Sequence, residues 1–232
     1  MSEHKQTNEK ITNYNLVKKQ IIDYRDPHTK YTTNYYLNHL LPRTDGPAIE
    51  HPNGDAEYYL FVKRHRIDGP AIIFSTRLEY WINGIRHNTD DQPAIIHKYK
   101  NEKGDSVEDK EYFNMGVKHR IGGPAEIRAD GTTMYYIDGI RHNEDGPAIV
   151  YGSCYMTKHM FYFKGKLHNT KGPAIVYRNG SVEYWVNNQL HNDNGPAVID
   201  SDGNSTYCIH GEFIQYISRE SASTERLAHI KI

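Results

Sequence analysis

One tripeptide, Gly-Pro-Ala, returns down this chain at a nearly fixed interval, and that beat constrains the fold more than any other feature. It ends at Ala48, Ala71, Ala125, Ala148, Ala174 and Ala197, with a Gln-Pro-Ala variant ending at Ala94. The repeat prolines are Pro47, Pro70, Pro93, Pro124, Pro147, Pro173 and Pro196, spaced 23, 23, 31, 23, 26 and 23 residues apart. A self-similar period of roughly 20 to 50 residues marks a repeat architecture. Stacked units of this kind touch only their neighbours.

The residues between the prolines repeat in register. YYIDGIRHNED runs from Tyr135 to Asp145 and GPAIVY follows; YWINGIRHNTDD, FYFKGKLHNTK and YWVNNQLHNDN occupy the same frame elsewhere. Two short apolar runs per unit, bounded by Gly, Asn, Asp and Pro, read as two strands. No apolar stripe of helical period interrupts them. Gly84, Gly116, Gly139 and Gly165 suit a bend with φ above zero after the aromatic strand. Asp68-Gly69 and Asp145-Gly146 are turn dipeptides. Proline lacks an N–H, so Pro70, Pro147, Pro173 and Pro196 belong at a strand start, an edge or a bulge. The expected fold is all-β: an elongated antiparallel β-meander of about seven to eight 23-residue hairpin repeats. The repeat domain is expected over 35–216. A polar segment with a cap strand precedes it over 1–34, and a polar tail follows over 217–232. Residues 1–15 read as disordered. Residues 16–24 suit a leading strand, but Ile11, Tyr14, Val17, Ile21 and Tyr24 also fit helical spacing. The tail reads as a short helix or as disordered.

Composition fits thin layers. Hydrophobic residues make up only 37% of the 232, while 19 tyrosines and 14 histidines are present. Half-exposed aromatics then do the packing. Along a strand side chains alternate, so Tyr80 and Ile82 face one way and Trp81 the other. A sheet with apolar groups on both faces must curl, pair with another copy, or leave an aromatic groove open. Twenty-eight basic residues against 29 acidic leave a net charge of −1, no footprint for duplex nucleic acid. No apolar run is long enough to span a bilayer. The opening MSEHKQTNEK carries no secretory signal, so a cytoplasmic setting is expected. Cys154 and Cys208 occupy different repeat positions and suggest no disulfide framework.

The histidine is the most regular polar residue. His65, His119, His142, His168 and His191 stand five residues before their proline, and His87 six. Neighbouring rungs lie two strands apart, too far to share a zinc ion. The ladder reads as structural. Each imidazole is expected to bond the backbone of its own turn or the Asp three to four residues on, as His65 with Asp68 and His142 with Asp145. Glu57, Glu79, Glu111 and Glu183 precede aromatic pairs at matching positions, and their repetition favours structure over catalysis. No nucleophile elbow, zinc-protease helix, P-loop or paired-Cys motif is present, and neither a catalytic residue nor a cofactor is expected. Two insertions break the period. Lys98–Asp109 adds about eight residues and Gly152–His159 about three, each lengthening a hairpin tip; both read as tolerated drift or as contact loops on a rigid platform.

The 23-residue period, the aromatic start and the Gly-x-x-His step resemble the MORN repeat. In this variant the stretch after His is Asp-Gly-Pro-Ala, as in His65–Ala71 and His142–Ala148. Asn or Arg (Arg66, Asn88, Arg120, Asn143, Asn169, Asn192) stands where MORN repeats keep Gly. The resemblance covers 35–216. The Gly-Pro-Ala flavour is similar to uncharacterised phage, giant-virus and bacterial repeat proteins, some grouped with YwqK-type antitoxins. It implies a single-layer meander acting as adaptor, spacer, dimerising scaffold or lipid-proximal element, in the host cytoplasm if the chain is viral. From these residues the expected function is non-enzymatic binding of another macromolecule, as an adaptor, scaffold or inhibitor of a partner protein, through the aromatic face and the Lys98–Asp109 tip, with homodimerisation as one way to bury the second face. The rings expected to meet a partner are Trp81, Tyr136, Tyr162 and Trp185. A second reading is a nucleotide-capturing host-defence antagonist, with Arg86, Lys118 and Arg141 holding phosphates. A third is a toxin-neutralising antitoxin.

Overall fold

The computed structural model describes residues 16–21, 32–37 and 45–221. The expectations for 1–15 and for most of the tail fall outside that range. The chain divides into two units, Met1–Arg86 and His87–Ile232.

The first unit opens with Leu16–Ile21 antiparallel to Thr32–Leu37, so the leading segment is a strand. Ile49–Glu50, Ala56–Glu57, Ile72–Phe74 and Arg77–Glu79 then follow in chain order, each antiparallel to the one before. The second unit continues the same pattern from Ile95–Lys100 and Ser106–Glu111 to Ser205–Ile209 and Glu212–Ile217. Both units are antiparallel meanders, as the repeat dictates.

Within each repeat the structure is finer than two strands. The strand entering the aromatic pair is broken at its first ring. At Tyr135 the N–H donates to the Ala148 carbonyl at 2.8 Å, and the carbonyl accepts from the His142 N–H at 3.2 Å. Tyr58 and Tyr184 switch partners in the same way. Upstream of the switch the chain belongs to the main sheet. Downstream it forms a separate two-residue hairpin. Trp81–Ile82 with Ile85–Arg86 is one such hairpin in the first unit. Phe113–Asn114 with Val117–Lys118, Tyr136–Ile137 with Ile140–Arg141, Tyr162–Phe163 with Lys166–Leu167, and Trp185–Val186 with Gln189–Leu190 are those of the second.

The short turns follow from their sequence. Asn83 and Gly84 have φ of 51° and 80°, and Asp138 and Gly139 have 49° and 77°. Positive φ at both central residues defines the turn whose twist matches a tight hairpin, and Asn-Gly and Asp-Gly tolerate it best.

All seven repeat alanines are fully buried. Each sits where a main-sheet strand passes close to its neighbour; the Ala71 N–H, for instance, donates to the Glu79 carbonyl at 2.8 Å. A larger side chain at that column would push neighbouring strands apart. The following residue adds bulk: Ile72, Ile95, Ile149 and Ile175 are buried too. Leu167, Ala174 and Ile175 form a small cluster against Met160, Phe161, Tyr162, Tyr177 and Trp185.

The long insertion extends one hairpin to six residue pairs, from Ile95 opposite Glu111 to Lys100 opposite Ser106. The short insertion is docked. Gly152 donates its N–H to the buried Thr132 hydroxyl at 2.9 Å. Arg178 donates to the carbonyls of Tyr151, Gly152 and Tyr155 at 2.8–2.9 Å.

Candidate interaction face

The short hairpins place one aromatic and one long side chain directly opposite each other in every repeat. Trp81 faces Arg86 in the first unit. Phe113 faces Lys118, Tyr136 faces Arg141, Tyr162 faces Leu167, and Trp185 faces Leu190 in the second. Successive hairpins interleave these groups. Lys118 lies 5.9 Å from the Phe113 ring centroid and 5.3 Å from that of Tyr136. Arg141 lies 5.8 Å from Tyr136 and 5.6 Å from Tyr162. In the first unit Arg64 and Arg86 lie 5.5 and 4.9 Å from Trp81. The negative ring faces attract these cations. Rings and cations thus alternate around Trp81 in the first unit and from Phe113 to Tyr162 in the second, while Trp185 packs with the cluster of Leu167 and Ile175.

A glutamate column ties this ladder to the sheet. Glutamate and ring stand two residues apart on either side of the break, and hydrogen bonds join them across it. Trp81 donates its indole N–H to Glu79 at 2.8 Å, and Trp185 donates to Glu183 at 2.7 Å. Tyr59 donates its hydroxyl to Glu57 at 2.9 Å. The cations use the same carboxylates. Lys118 pairs with Glu111 at 2.9 Å and closely with Glu126, which Arg128 holds from its other side at 2.8 Å. Burial works against the charge of both Lys118 and Glu126. Their mutual hydrogen bond, the bonds to Glu111 and Arg128 and the attraction of these opposite charges together outweigh it, raising the lysine pKa and lowering the carboxylate's. Arg86 approaches Glu79 at 3.5 Å. Two of the three cations read from the sequence as phosphate contacts thus already stand beside internal carboxylates.

The histidines form a second ladder with different partners from those expected. His Nδ1 accepts the N–H of the first turn residue in the following repeat. The donors are Asn83 to His65 at 3.0 Å, Asp138 to His119 at 3.0 Å, Lys164 to His142 at 3.2 Å, Asn187 to His168 at 3.2 Å, and His210 to His191 at 3.3 Å. The second turn residue also reaches back: Gly139 and Gly165 donate to the carbonyls of Lys118 and Arg141 at 2.8 and 2.9 Å. The expectation of a bond within each histidine's own turn is corrected, because a two-residue turn spends its outward N–H groups on the preceding repeat. Where an own-loop acid does approach, it is two residues on: Glu144 at 3.4 Å from His142 Nε2 and Asp193 at 3.2 Å from His191 Nε2. At His119 the Asp138 carboxylate also stands 2.9 Å from Nδ1. The neutral ring accepts the Asp138 N–H there, and a protonated ring would turn its N–H to that carboxylate. His87 is the exception. Its buried Nδ1 has no hydrogen-bond partner among the described residues.

The column after histidine carries a role that sequence reasoning missed. Asn88, Asn143, Asn169 and Asn192 donate their side-chain N–H to the carbonyls of Pro93, Pro147, Pro173 and Pro196 at 2.8–3.0 Å. Arg66 and Arg120 do the same to Pro70 and Pro124 at 3.2 and 3.3 Å. Asn and Arg share only the N–H donor, and that shared property was the available signal. Arg120 also grips Asp91, the residue inserted before Pro93, through Nε and Nη2 at 2.8–3.1 Å. That pairing holds the Asp91 carboxyl below its ordinary pKa.

Beyond these ladders the hairpin turns expose apolar side chains. In the second unit Met115, Val117, Ile140 and Phe163 are 39–65% exposed. They lie along consecutive turns: a Cβ on Gly139 would stand 3.9 Å from Val117, and one on Gly165 would stand 3.0 Å from Ile140. Among the described residues no three His, Cys, Asp or Glu side chains converge as a metal site, and no helix is long and apolar enough to cross a membrane. Compared with known proteins, the chain matches no family model and no curated protein.

Proposed function

We propose that this chain is a non-enzymatic β-hairpin repeat protein of divergent MORN type that binds another protein. The observation carrying this reading is the apolar row of Met115, Val117, Ile140 and Phe163 on the short turns of the second unit. Contiguous exposed apolar surface on an ordered scaffold is the usual mark of a protein-binding site. The turns of Asp138-Gly139 and Lys164-Gly165 within it are each held by two N–H bonds to the preceding repeat, one to a carbonyl and one to a histidine Nδ1. Binding therefore costs little conformational ordering. The interleaved rings and cations, Tyr136 and Tyr162 among them, act as rigid backing.

The test is affinity capture with the intact chain and with a triple variant, Met115→Ser, Ile140→Ser, Phe163→Ser. These side chains are exposed, so the fold survives. A partner retained by the parent and lost from the variant supports the reading. Capture of nothing specific, or of the same protein by both, overturns it.

Self-association has its own supporting observation. The strand Glu212–Ile217 has one ladder partner among the described residues, Ser205–Ile209, and Phe213, Ile214 and Tyr216 are 56–65% exposed. An open apolar edge of this kind templates pairing with another strand. Light scattering that finds a monomer at all concentrations would remove this reading, and a dimer abolished by Ile214→Lys would support it.

A further inference from the structure

The glutamate column of the second unit is interrupted at two consecutive places, and one cation sits in the gap. Counting two residues back from each ladder ring gives Glu111, Met134, Met160 and Glu183. Met134 is buried and Met160 half-buried. Where glutamate is present it takes a neighbouring cation or the ring's polar hydrogen: Glu111 pairs with Lys118, and Glu183 accepts from the Trp185 indole and the Tyr177 hydroxyl. Where methionine replaces it, the Tyr136 hydroxyl donates to the Met134 sulfur at 3.8 Å, and the Tyr151 hydroxyl to the Met160 sulfur at 3.7 Å. Thioether sulfur is a weak acceptor.

Arg141 stands in this gap. Its Nε donates to the Tyr136 hydroxyl at 3.1 Å, and its guanidinium lies between the Tyr136 and Tyr162 rings. Among the described residues no carboxylate pairs with it. Burial opposes its charge, and what sustains the charge is phenol oxygen, from Tyr136 and Tyr162. Lys118 and Arg128, by contrast, each have a carboxylate in contact. A guanidinium carries five N–H donors in a planar fork matched to a carboxylate.

We infer that Arg141 receives a carboxylate side chain of a partner protein, which gives this guanidinium the anion that glutamate supplies to cations elsewhere in the column. Three features favour carboxylate over phosphate. The column itself uses carboxylate at every filled place. The gap offers one cation, enough for a single negative charge. Among the described residues no glycine-rich nest of backbone N–H groups faces it, as phosphate sites employ. Tyr136, Tyr151 and Tyr162 supply the flat walls and the hydroxyls that orient the incoming group. This inference rests on the protein-binding reading above and names the chemistry of that partner.

The test is titration calorimetry of the intact chain with hexaglutamate, hexaglutamine and inorganic phosphate, on the parent, Arg141→Met and Met160→Glu. The last variant restores the missing column glutamate and should satisfy Arg141 internally. The expected result is saturable binding of hexaglutamate, none of hexaglutamine, and about tenfold weaker hexaglutamate binding in both variants. Circular dichroism reports whether each variant is folded, and Met160→Glu decides alone if Arg141→Met is not. The inference is overturned if the parent does not bind hexaglutamate saturably. It is overturned equally if the folded variants bind as the parent does, or if phosphate displaces hexaglutamate more effectively than glutarate does. Each of those results leaves the capture experiment on the turn row untouched, so the two readings fail separately.

Discussion

His142 accepts the backbone N–H of Lys164 at Nδ1, 3.2 Å away, while its Nε2 faces the Glu144 carboxylate at 3.4 Å. The two contacts select one neutral tautomer. Nε2 carries the proton and points it at the acid, and Nδ1 keeps its lone pair for the next repeat. One ring thus joins two hairpins that are 22 residues apart in the chain.

The first prediction sets a ladder histidine against the exception. His168→Ala removes the acceptor for the Asn187 N–H. The expected cost is about 1 kcal/mol, because that turn N–H lies near water and finds a substitute partner. His87 Nδ1 accepts no hydrogen bond among the described residues, so His87→Ala lacks this loss and costs less. Urea denaturation measures both, and amide exchange at Asn187 should quicken only in His168→Ala. Equal losses in the two variants would refute a role for the ladder bonds.

Much of this architecture was legible in the sequence, for a physical reason. The proline beat, the Asn-Gly and Asp-Gly turns and the buried alanines are local requirements, repeated in every unit, so each copy reports the same constraint. What stayed hidden was anything joining one repeat to the next. His168 and Asn187 are 19 residues apart, and nothing at either position names the other. The break in the strand at Tyr135 was hidden likewise, since a partner switch alters hydrogen bonding without altering residue type. The ring ladder was readable as a face. Its cation filling was not, because Lys118 meets Tyr136 only once two hairpins are adjacent.

The donor column after histidine makes a sharper case. Asn169 donates to the Pro173 carbonyl at 3.0 Å, and Arg120 makes the equivalent bond to Pro124. Asn169→Arg should therefore fold with stability within about 0.5 kcal/mol of the parent, as a substitution at a half-buried position that keeps the bond and has room for arginine in other repeats. Asn169→Asp puts an acceptor against an acceptor and should cost about 1–3 kcal/mol. Thermal melts of the two variants settle the order. An arginine variant less stable than the aspartate variant would show that the N–H donor is not what the column requires.

Two glycines separate steric need from backbone need. A Cβ on Gly152 would stand 2.1 Å from the Asp130 carbonyl oxygen, so Gly152→Ala must move backbone. Gly180 has φ of 93° and nothing within 4 Å of its missing Cβ. Gly180→Ala should then cost about 1–2 kcal/mol, the penalty of a left-handed backbone for an L-residue. Gly152→Ala should cost about 3 kcal/mol or more, since overpacking and the disturbed Thr132 bond act together. Denaturant midpoints with unchanged slope provide the comparison. A Gly152→Ala chain as stable as Gly180→Ala would contradict the docking of the 152–159 loop.

Tyr177 offers a pH signature for the glutamate column. Burial, followed by the hydrogen bond its hydroxyl donates to Glu183 at 2.7 Å, pushes this phenol up to about 12. An unfolded tyrosine titrates near 10. The folded state holds the proton more tightly, so this group stabilises the fold fully below about pH 10 and loses that contribution as pH climbs towards about 12. Melts of the parent and Tyr177→Phe across this window should show the parent's relative advantage shrinking as pH rises. Ultraviolet titration should show the last phenolate step of the parent missing from Tyr177→Phe and moved to lower pH in Glu183→Gln. If Glu183→Gln leaves that step in place, the carboxylate is not what holds the proton on Tyr177.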